Sequence, residues 1–171
     1  GPSFPTRRSS DLKSMNKIAI IGTGYVGLVS GTCLADFGMN VTCVDINEEK
    51  IQKLKNGIIP IYEPGLENLV ERNFYYKRLW FTTDTEKAVM ENEVIFIAVG
   101  TPPTEDGSAD MQYVLKVAKD IATYMNGYKV IVDKSTVPVG TGKKVKETIQ
   151  NILNERGVDY KFDVEIGRAH V

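Results

Sequence analysis

The chain contains few residues of the kinds that form disulfide frameworks and metal sites. It has two cysteines and one histidine among 171 residues. Cys33 and Cys43 lack the C-x-x-C spacing of metal and redox sites, and two cysteines are too few for a disulfide-rich secreted domain. We therefore expect no metal centre and a reducing, cytoplasmic location. Both cysteines are expected to be buried as small apolar side chains.

Long apolar runs and an excess of positive charge are also absent. No apolar stretch approaches the roughly 20 residues that a membrane-spanning helix requires. The formal net charge is −1, and the surplus of basic residues lies near the two ends, so the intervening segment is more acidic still. These features argue against a membrane partner and against a nucleic-acid partner. A content of 42% hydrophobic and 25% charged residues indicates one globular domain.

The two ends differ from the rest in composition. Residues 1–14 are rich in Arg and Ser, and within them residues 3–12, like residues 165–171, resemble translated sequencing adapters more than targeting segments. The expected native segment is residues 15–164, with Met15 as a natural start and the boundary of a gene fragment at its end. On this interpretation His170 belongs to a non-native tail and has no catalytic role.

The outer residues of both tails are expected to contribute nothing to the fold. Neither residues 1–12 nor residues 166–171 carry an apolar pattern that could offset the roughly 1 to 2 kcal/mol of backbone entropy lost per ordered residue. We therefore expect both segments to be poorly ordered and dispensable.

Between the tails, apolar runs of strand length alternate with segments of helical periodicity. This alternation is typical of a parallel sheet wrapped by helices. Val94–Val99 is continuously apolar, which indicates a central strand covered on both faces. The sequence therefore predicts an α/β fold, a doubly wound parallel sheet with helices on both faces. The predicted strands are residues 17–22, 40–45, 79–83, 93–99 and 129–134, with a sixth from about Phe162, and the predicted helices are residues 24–37, 47–56, 65–76, 84–91, 111–126 and 140–156.

A glycine-rich turn follows the first predicted strand. Gly22, Gly24 and Gly27 form a G-x-G-x-x-G pattern between an apolar run and a helix-compatible segment. The first glycine permits a tight turn, the second close approach to a pyrophosphate, and the third close packing of helix on strand. Asp45 lies about 20 residues further on, at the end of the second predicted strand. Together these features predict a dinucleotide-binding unit rather than an ordinary turn.

Two further loops follow predicted strands at the same edge of the sheet, where open parallel sheets bind their ligands. Residues 100–110 form a long, proline-containing loop in which Thr101 offers a hydroxyl group. Residues 134–142 place the adjacent hydroxyls of Ser135 and Thr136 just before a helix. Helix capping and a role in an active site are equally good interpretations of that pair.

Five segments, in this order along the chain, resemble motifs of the nucleotide-sugar dehydrogenases. The resemblance extends over nearly all of residues 15–164 and implies a Rossmann-type NAD-binding domain. Residues 60–64 and 106–110 look more like the UDP-glucose 6-dehydrogenases than the GDP-mannose or UDP-N-acetylmannosamine dehydrogenases. The five segments are GTGYVG at 22–27, VDI at 44–46, YEPGL at 62–66, AVGTP at 98–102 and KSTVPVG at 134–140.

The resemblance also implies roles for individual residues. Val26 would contact NAD through its backbone, and Asp45 and Lys50 would hold the adenosine ribose. Thr101 would contact the cofactor, and Thr136 would line the active site near the catalytic water. The cofactor-binding residues implied in this way are Gly22, Gly24, Tyr25, Val26, Gly27, Asp45, Lys50, Thr101 and Thr136.

The nature of the implied cofactor and reaction leads to further expectations. Asp45 favours NAD over NADP, since a carboxylate accepts hydrogen bonds from both ribose hydroxyls and repels a 2′-phosphate, although Lys50 would offset part of that repulsion. The implied reaction oxidises the C6 alcohol of UDP-glucose to the carboxylate of UDP-glucuronate, a polysaccharide precursor, through a cysteine thioester and with two NAD. The family's nucleophile motif is expected beyond Val164, and neither Cys33 nor Cys43 matches it.

The chain is therefore expected to bind NAD without catalysing the reaction alone, and the whole enzyme to be a homo-oligomer. Two alternatives come from other classes. One is a stand-alone NAD-binding module without chemistry of its own. The other is a 3-hydroxyacid dehydrogenase that shares the glycine turn, although the STVP sequence that begins at Ser135 argues against it.

Overall fold

The computed structural model describes residues 16–167. The strands are β1 (Lys17–Ile21), β2 (Asn40–Val44), β3 (Leu79–Thr82), β4 (Val94–Ile97), β5 (Lys129–Asp133) and β6 (Phe162–Ile166). The helices are α1 (Tyr25–Asp36), α2 (Glu48–Lys55), α3 (Leu66–Tyr75), α4 (Thr85–Glu91), α5 (Gln112–Tyr124) and α6 (Thr141–Arg156). The strands form one parallel sheet in the order β3-β2-β1-β4-β5-β6.

The predicted α/β architecture is confirmed. Each predicted strand and helix is present within a few residues of its expected bounds, including the sixth strand from Phe162. The apolar strand β4 is central, since it pairs with β1 on one side and with β5 on the other. A strand in this position contacts helices above and below, which explains why its sequence does not alternate between apolar and polar residues.

Alternate side chains of β1 enter two separate cores. Ile18 and Ile20 pack in one core with side chains of α1, α2 and α3. Ala19 and Ile21 pack in the other with side chains of α4, α5 and α6. Because successive side chains of a strand point to opposite faces of a sheet, the two cores show that helices cover both faces.

The two cysteines differ in exposure. Cys43 is buried, as expected, and burial raises the pKa of its thiol to about 12, so it is not a reactive thiolate. Cys33 is exposed, and the expectation that it is buried is wrong. The reason is its position on α1, which lies outside the helix face that packs on the sheet. The buried residues of that helix are Gly27, Leu28, Gly31, Thr32 and Ala35.

The sheet extends past the expected domain boundary at Val164. In β6, Ile166 pairs with Asp133 at the end of β5, and a Cβ placed on Gly142 of α6 would lie 3.3 Å from the Ile166 side chain. The expectation of poor order from residue 166 is therefore wrong for Ile166, because β6 pairs along the whole of β5 and the next N–H, that of Gly167, still donates to the carbonyl of Asp133 at 2.8 Å.

Several expectations concern residues outside the described part of the chain. Residues 1–15 and 168–171 lie outside it, so the N-terminal tail at 1–14, Met15 and His170 are not placed. Across residues 16–167, no helix combines the length and the apolar character needed to cross a membrane.

Candidate dinucleotide-binding site

The connectivity of the sheet reverses between β1 and β4, since the chain builds one half outward from β1 and the other half outward from β4. At such a switch point the loops that follow the two strands diverge and leave a crevice at the carboxyl edge of the sheet. The loops that follow β1, β2, β4 and β5 all lie at this edge. They carry the residues that the sequence assigns to the cofactor.

Gly22 forms the turn that leaves β1. Its φ is 115°, and its N–H donates to the carbonyl of Val44 at 2.8 Å. A Cβ at Gly22 would lie 2.4 Å from the carbonyl oxygen of Ala98, so both the dihedral angle and the packing require glycine. Gly27 is equally restricted, because a Cβ there would lie 2.0 Å from the carbonyl oxygen of Gly22.

The first turn of α1 is suited to bind an anion. Gly24 is the N-terminal cap, and the first helical hydrogen bond runs from the N–H of Leu28 to the Gly24 carbonyl at 2.9 Å. The N–H groups of Tyr25, Val26 and Gly27 therefore have no partner within the helix. Among residues 16–167, a Cβ at Gly24 would meet no atom within 4 Å apart from its own residue and the two adjoining ones. These N–H groups and the positive end of the helix dipole face open space that a pyrophosphate fits.

Asp45 connects the end of β2 to the glycine turn. Its Oδ2 accepts hydrogen bonds from the hydroxyl of Thr23 at 2.6 Å and from the Thr23 N–H at 3.3 Å. Its Oδ1 accepts from the N–H of Asn47 at 3.0 Å. The Nζ of Lys50 lies 3.7 Å from Oδ2.

Two opposing effects set the pKa of Asp45. Partial burial acts to raise it, but the hydrogen bonds from Thr23 and Asn47 and the charge of Lys50 outweigh burial and hold the pKa below its usual value. Asp45 is therefore ionised at neutral pH, and its oxygens can only accept hydrogen bonds. Ribose hydroxyls are donors of the matching kind.

A cavity of about 430 Å³ opens beside Asp45. This volume is within the range of small-molecule sites, and its apolar walls suit a purine ring. Sequence reasoning missed Tyr113 on α5 because no motif contains it, although an aromatic residue in a helix that begins at the carboxyl edge of the sheet was an available signal. Lining residues outside the predicted site are Ile21, Val44, Ile46, Thr85, Val99, Gly100, Pro102, Tyr113, Lys116, Val117 and Asp120.

The loops that follow β4 and β5 are joined by hydrogen bonds. The hydroxyl of Thr101 donates to the carbonyl of Thr136 at 2.8 Å, and the hydroxyl of Ser135 donates to the carbonyl of Val99 at 2.8 Å. The N-terminal cap of α6 is Gly140, without a side-chain hydrogen bond. Of the two interpretations of Ser135 and Thr136, helix capping is therefore wrong.

The proline-containing segment between α2 and α3 reaches the glycine turn. The hydroxyl of Tyr25 donates to Oε2 of Glu63 at 3.2 Å, and this hydrogen bond to a carboxylate raises the pKa of Tyr25. The side chain of Tyr25 is thus engaged with this segment. Its backbone N–H still belongs to the first turn of α1, where the cofactor's phosphates are expected.

Asp133 is a fully buried carboxyl group at the end of β5. Its Oδ1 accepts a hydrogen bond from the N–H of Ser135 at 2.9 Å, whereas its Oδ2 has no hydrogen-bond partner among residues 16–167. Burial raises the pKa of Asp133, and the hydrogen bonds from Ser135 oppose this only in part.

We predict that Asp133→Asn raises the melting temperature at neutral pH. The folded carboxyl has a raised pKa, so the folded state binds the proton more tightly, and stability falls as pH rises from 3.8 through that pKa. Asparagine keeps an acceptor for Ser135 without the buried charge. Nothing among residues 16–167 pairs with the atom at the Oδ2 position, so the substitution removes the cost of the buried charge and not that of an unpaired polar group. A gain of about 1 kcal/mol would raise the melting temperature by about 2 to 4 °C.

Thermal unfolding followed by circular dichroism across pH 4 to 8, a range set by the usual carboxyl pKa, would measure this effect. The difference in melting temperature between Asp133→Asn and wild type should shrink toward the acidic end of this pH range, where the wild-type carboxyl is protonated. The control is Asp159→Asn, which removes an exposed carboxylate that pairs with Lys161. An equal or lower melting temperature of Asp133→Asn at neutral pH would contradict the prediction.

The sheet topology, the glycine turn and the acceptor at the end of β2 together define a dinucleotide-binding domain of the Rossmann class. Comparison with known families then identifies the particular one. The model of the "UDP-glucose/GDP-mannose dehydrogenase family, NAD binding domain" matches residues 16–167, and the chain belongs to this family. Its cofactor is NAD.

The relatives agree with this membership. A UDP-glucose 6-dehydrogenase of Bacillus subtilis is 58% identical over 150 residues, which are 88% of this chain and 32% of that protein. A UDP-glucose 6-dehydrogenase of Rhizobium meliloti is 56% identical over 135 residues, or 78% of this chain and 31% of that protein. The chain thus spans about a third of the length of these relatives.

Solved structures of similar proteins share the fold. A UDP-glucose dehydrogenase of Pyrobaculum islandicum superposes with a TM-score of 0.79 at 35% identity, covering 93% of this chain and 36% of that one. A ternary complex of GDP-mannose dehydrogenase of Pseudomonas aeruginosa gives a TM-score of 0.80 at 35% identity, covering 90% of this chain and 36% of that one.

Proposed function

We propose that this chain supplies the NAD-binding part of an enzyme that oxidises UDP-glucose to UDP-glucuronate. The observation that carries the proposal is the open cradle at Gly24, which lies between the first turn of α1 and the carboxylate of Asp45. The names of the relatives at 58% and 56% identity support the choice of UDP-glucose as the substrate.

The proposed contacts follow from the donors and acceptors at this edge of the sheet. The N–H groups of the first turn of α1, including that of Val26, bind the pyrophosphate. Asp45 accepts hydrogen bonds from the adenosine ribose, and Lys50 contributes a cation beside it. The cavity beside Asp45 holds the adenine ring, with Tyr113 in its wall.

The nicotinamide half of the cofactor extends toward the loops that follow β4 and β5. Thr101 already donates its hydroxyl proton to the carbonyl of Thr136, so toward a ligand its oxygen can only accept. Thr136 is exposed at the same edge and lines the space where sugar and water meet. NAD, when bound, supplies the hydride acceptor. The chain's own contribution is to orient the nicotinamide and to bind the pyrophosphate of NAD.

We also propose that the groups that hold the nucleotide sugar and form the thioester belong to parts of the enzyme outside this chain. Thioester formation needs an activated cysteine near the reacting carbon, and Cys43 is buried with a raised thiol pKa. Cys33 is the ninth residue of α1 and lies away from the carboxyl edge of the sheet, where that helix begins. The composition supports a cytoplasmic enzyme, and the family resemblance supports a homo-oligomer without nucleic-acid or membrane partners.

We predict that the purified chain binds NAD and does not reduce it when UDP-glucose is added. The cofactor cradle is present, whereas holding the substrate in reactive geometry is worth roughly 7 to 11 kcal/mol of the barrier and needs a sugar-binding surface. Calorimetric titration measures binding, and nicotinamide absorbance measures turnover.

The outcomes of this experiment separate the two parts of the proposal. Absence of saturable NAD binding would refute the cradle. Steady turnover with UDP-glucose that is abolished in Thr136→Ala would show that the chain is catalytically sufficient and would refute the second part. GDP-mannose and UDP-N-acetylmannosamine serve as alternative substrates in the same assay.

A further inference from the structure

The loops that follow β4 and β5 exchange hydrogen bonds in both directions. Ser135 donates its hydroxyl proton across to the carbonyl of Val99 at 2.8 Å. Thr101 donates its hydroxyl proton back to the carbonyl of Thr136 at 2.8 Å. Each loop therefore provides one side-chain donor and one backbone acceptor. We call these two hydrogen bonds the hydroxyl clasp.

The hydroxyl clasp begins where the sheet ends. The N–H of Lys134 donates to the carbonyl of Ile97 at 2.7 Å, which extends the pairing of β4 and β5 by one residue. Beyond that residue the hydrogen bonds that join the two described segments are donated by side chains. Side-chain hydrogen bonds then fix the distance between them where backbone pairing no longer does.

Ser135, one of the two donors of the clasp, is itself held in place. The Ser135 side chain is buried, and the N–H of Ser135 donates to Oδ1 of Asp133 at 2.9 Å. This hydrogen bond sets the direction in which Ser135 leaves the strand. A buried hydroxyl with a fixed backbone and a single acceptor at normal distance has little freedom to choose another partner. The arrangement is more specific than the exposed hydroxyl contacts on helix surfaces.

We propose that Ser135 and Thr101 are positioning residues whose clasp fixes Thr136 toward the nicotinamide half of bound NAD. This proposal rests on the proposed function, because it assumes that the dinucleotide crosses these loops. The clasp also determines which ligand groups Thr101 can bind. Because its hydroxyl proton is donated to Thr136, the Thr101 oxygen can only accept a hydrogen bond, which suits ribose hydroxyls or the carboxamide NH₂ of nicotinamide.

The first test measures amide hydrogen exchange in the ligand-free chain by mass spectrometry. Thr101→Val and Ser135→Ala each remove one donor. Because the clasp is reciprocal, Thr101→Val should raise exchange across residues 134–140, and Ser135→Ala should raise it across residues 98–103. The expected increase is about 2- to 12-fold, the range for loss of one neutral hydrogen bond.

Two control variants make this test specific. Thr101→Ser keeps the donor and should restore wild-type exchange. Thr123→Val removes a hydroxyl that donates to the carbonyl of Lys119 at 2.7 Å on the surface of α5, and it should leave both loops unchanged. Increases confined to the mutated loop would overturn the clasp.

The second test compares the affinities for NAD and ADP by calorimetry. ADP retains the adenosine and the pyrophosphate but lacks the nicotinamide half. Thr101→Val and Ser135→Ala should weaken NAD binding by about 2- to 12-fold and change ADP binding less than about 2-fold, the lower limit of that range. Equal losses for both ligands, or no loss for NAD, would overturn the positioning role.

The two tests keep this inference distinct from the proposed function. If the wild-type chain binds neither NAD nor ADP, the proposed function fails, and with it the positioning role. The exchange experiment would still report whether the clasp couples the two loops. If NAD binds normally and the clasp variants behave as wild type in both assays, only the further inference fails.

Discussion

Replacement of Asp45 by alanine is expected to weaken NAD binding by about 10- to 150-fold, because hydrogen bonds to a charged acceptor are worth about 1.5 to 3 kcal/mol. Asp45 is ionised and lies beside the cavity proposed for the adenine ring, so its oxygens can accept hydrogen bonds from both ribose hydroxyls. The loss should be smaller for NADP, whose 2′-phosphate the carboxylate repels. Calorimetric titration with both cofactors measures the two affinities and their ratio.

The matched control is Asp36→Ala. Asp36 is also a carboxylate with a lowered pKa, held first by its hydrogen bond from Arg72, but it lies at the opposite end of α1. Its loss should leave both cofactor affinities unchanged. Tighter binding of NADP than of NAD by the wild-type chain would contradict the role of Asp45. In that case the charge of Lys50, whose Nζ lies 3.7 Å from the carboxylate, would outweigh the repulsion between Asp45 and the 2′-phosphate.

The sequence was sufficient to predict the strands, the helices and the glycine turn, because each of these depends on a local pattern. Gly22 and Gly27 illustrate this. Their spacing predicts the turn, and the structure adds the reason, a carbonyl oxygen within 2.4 Å of a Cβ at either position. Local periodicity also predicts the helix at residues 111–126, and the structure has α5 there, with Val114 and Ile121 buried.

The features that sequence reasoning missed depend on contacts between distant segments. The hydrogen bond between Thr101 and Thr136 joins residues 35 positions apart, and no spacing rule predicts it. The position of Tyr113 in the wall of the cavity beside Asp45 depends on the path of the long loop that precedes α5. The predicted burial of Cys33 and the predicted poor order of Ile166 are wrong for a related reason. Exposure and order depend on the neighbours that a residue contacts in the fold and not only on its own type.

Gly27→Ala is expected to destabilise the fold strongly, whereas Gly24→Ala is expected to leave it intact, although the two residues are only three positions apart. A Cβ at Gly27 would lie 2.0 Å from the carbonyl oxygen of Gly22 and 3.3 Å from the Cβ of Ala98. Both are parts of the packed turn, so the helix must shift away from the sheet. Overpacking typically costs about 1 to 3 kcal/mol and at times more, and we expect Gly27→Ala to fall at or above the upper end of that range.

At Gly24 the added methyl group should leave the fold intact and impair cofactor binding. The backbone there is extended, with φ −73° and ψ −167°, and alanine can adopt this conformation. Within the described part of the chain, no atom beyond the adjoining residues lies within 4 Å of the new Cβ. The space that the Cβ enters is the space proposed for the pyrophosphate. Alanine is a poorer N-terminal cap than glycine, so we expect the melting temperature to fall by no more than about 4 °C, the scale of about 1 kcal/mol in a domain of this size.

The affinity of Gly24→Ala for NAD should fall by about 10- to 100-fold, which corresponds to the cost of overpacking a closely fitted contact. Thermal unfolding and calorimetric titration of both variants separate the two effects. Gly27→Ala should show the large loss of stability, and Gly24→Ala should show the loss of NAD affinity with the fold intact. The control for adding a methyl group away from the site is Gly127→Ala, in a loop where a Cβ meets no atom of the described, non-adjoining residues within 4 Å. Undiminished NAD affinity in Gly24→Ala would show that the phosphates do not approach the first turn of α1.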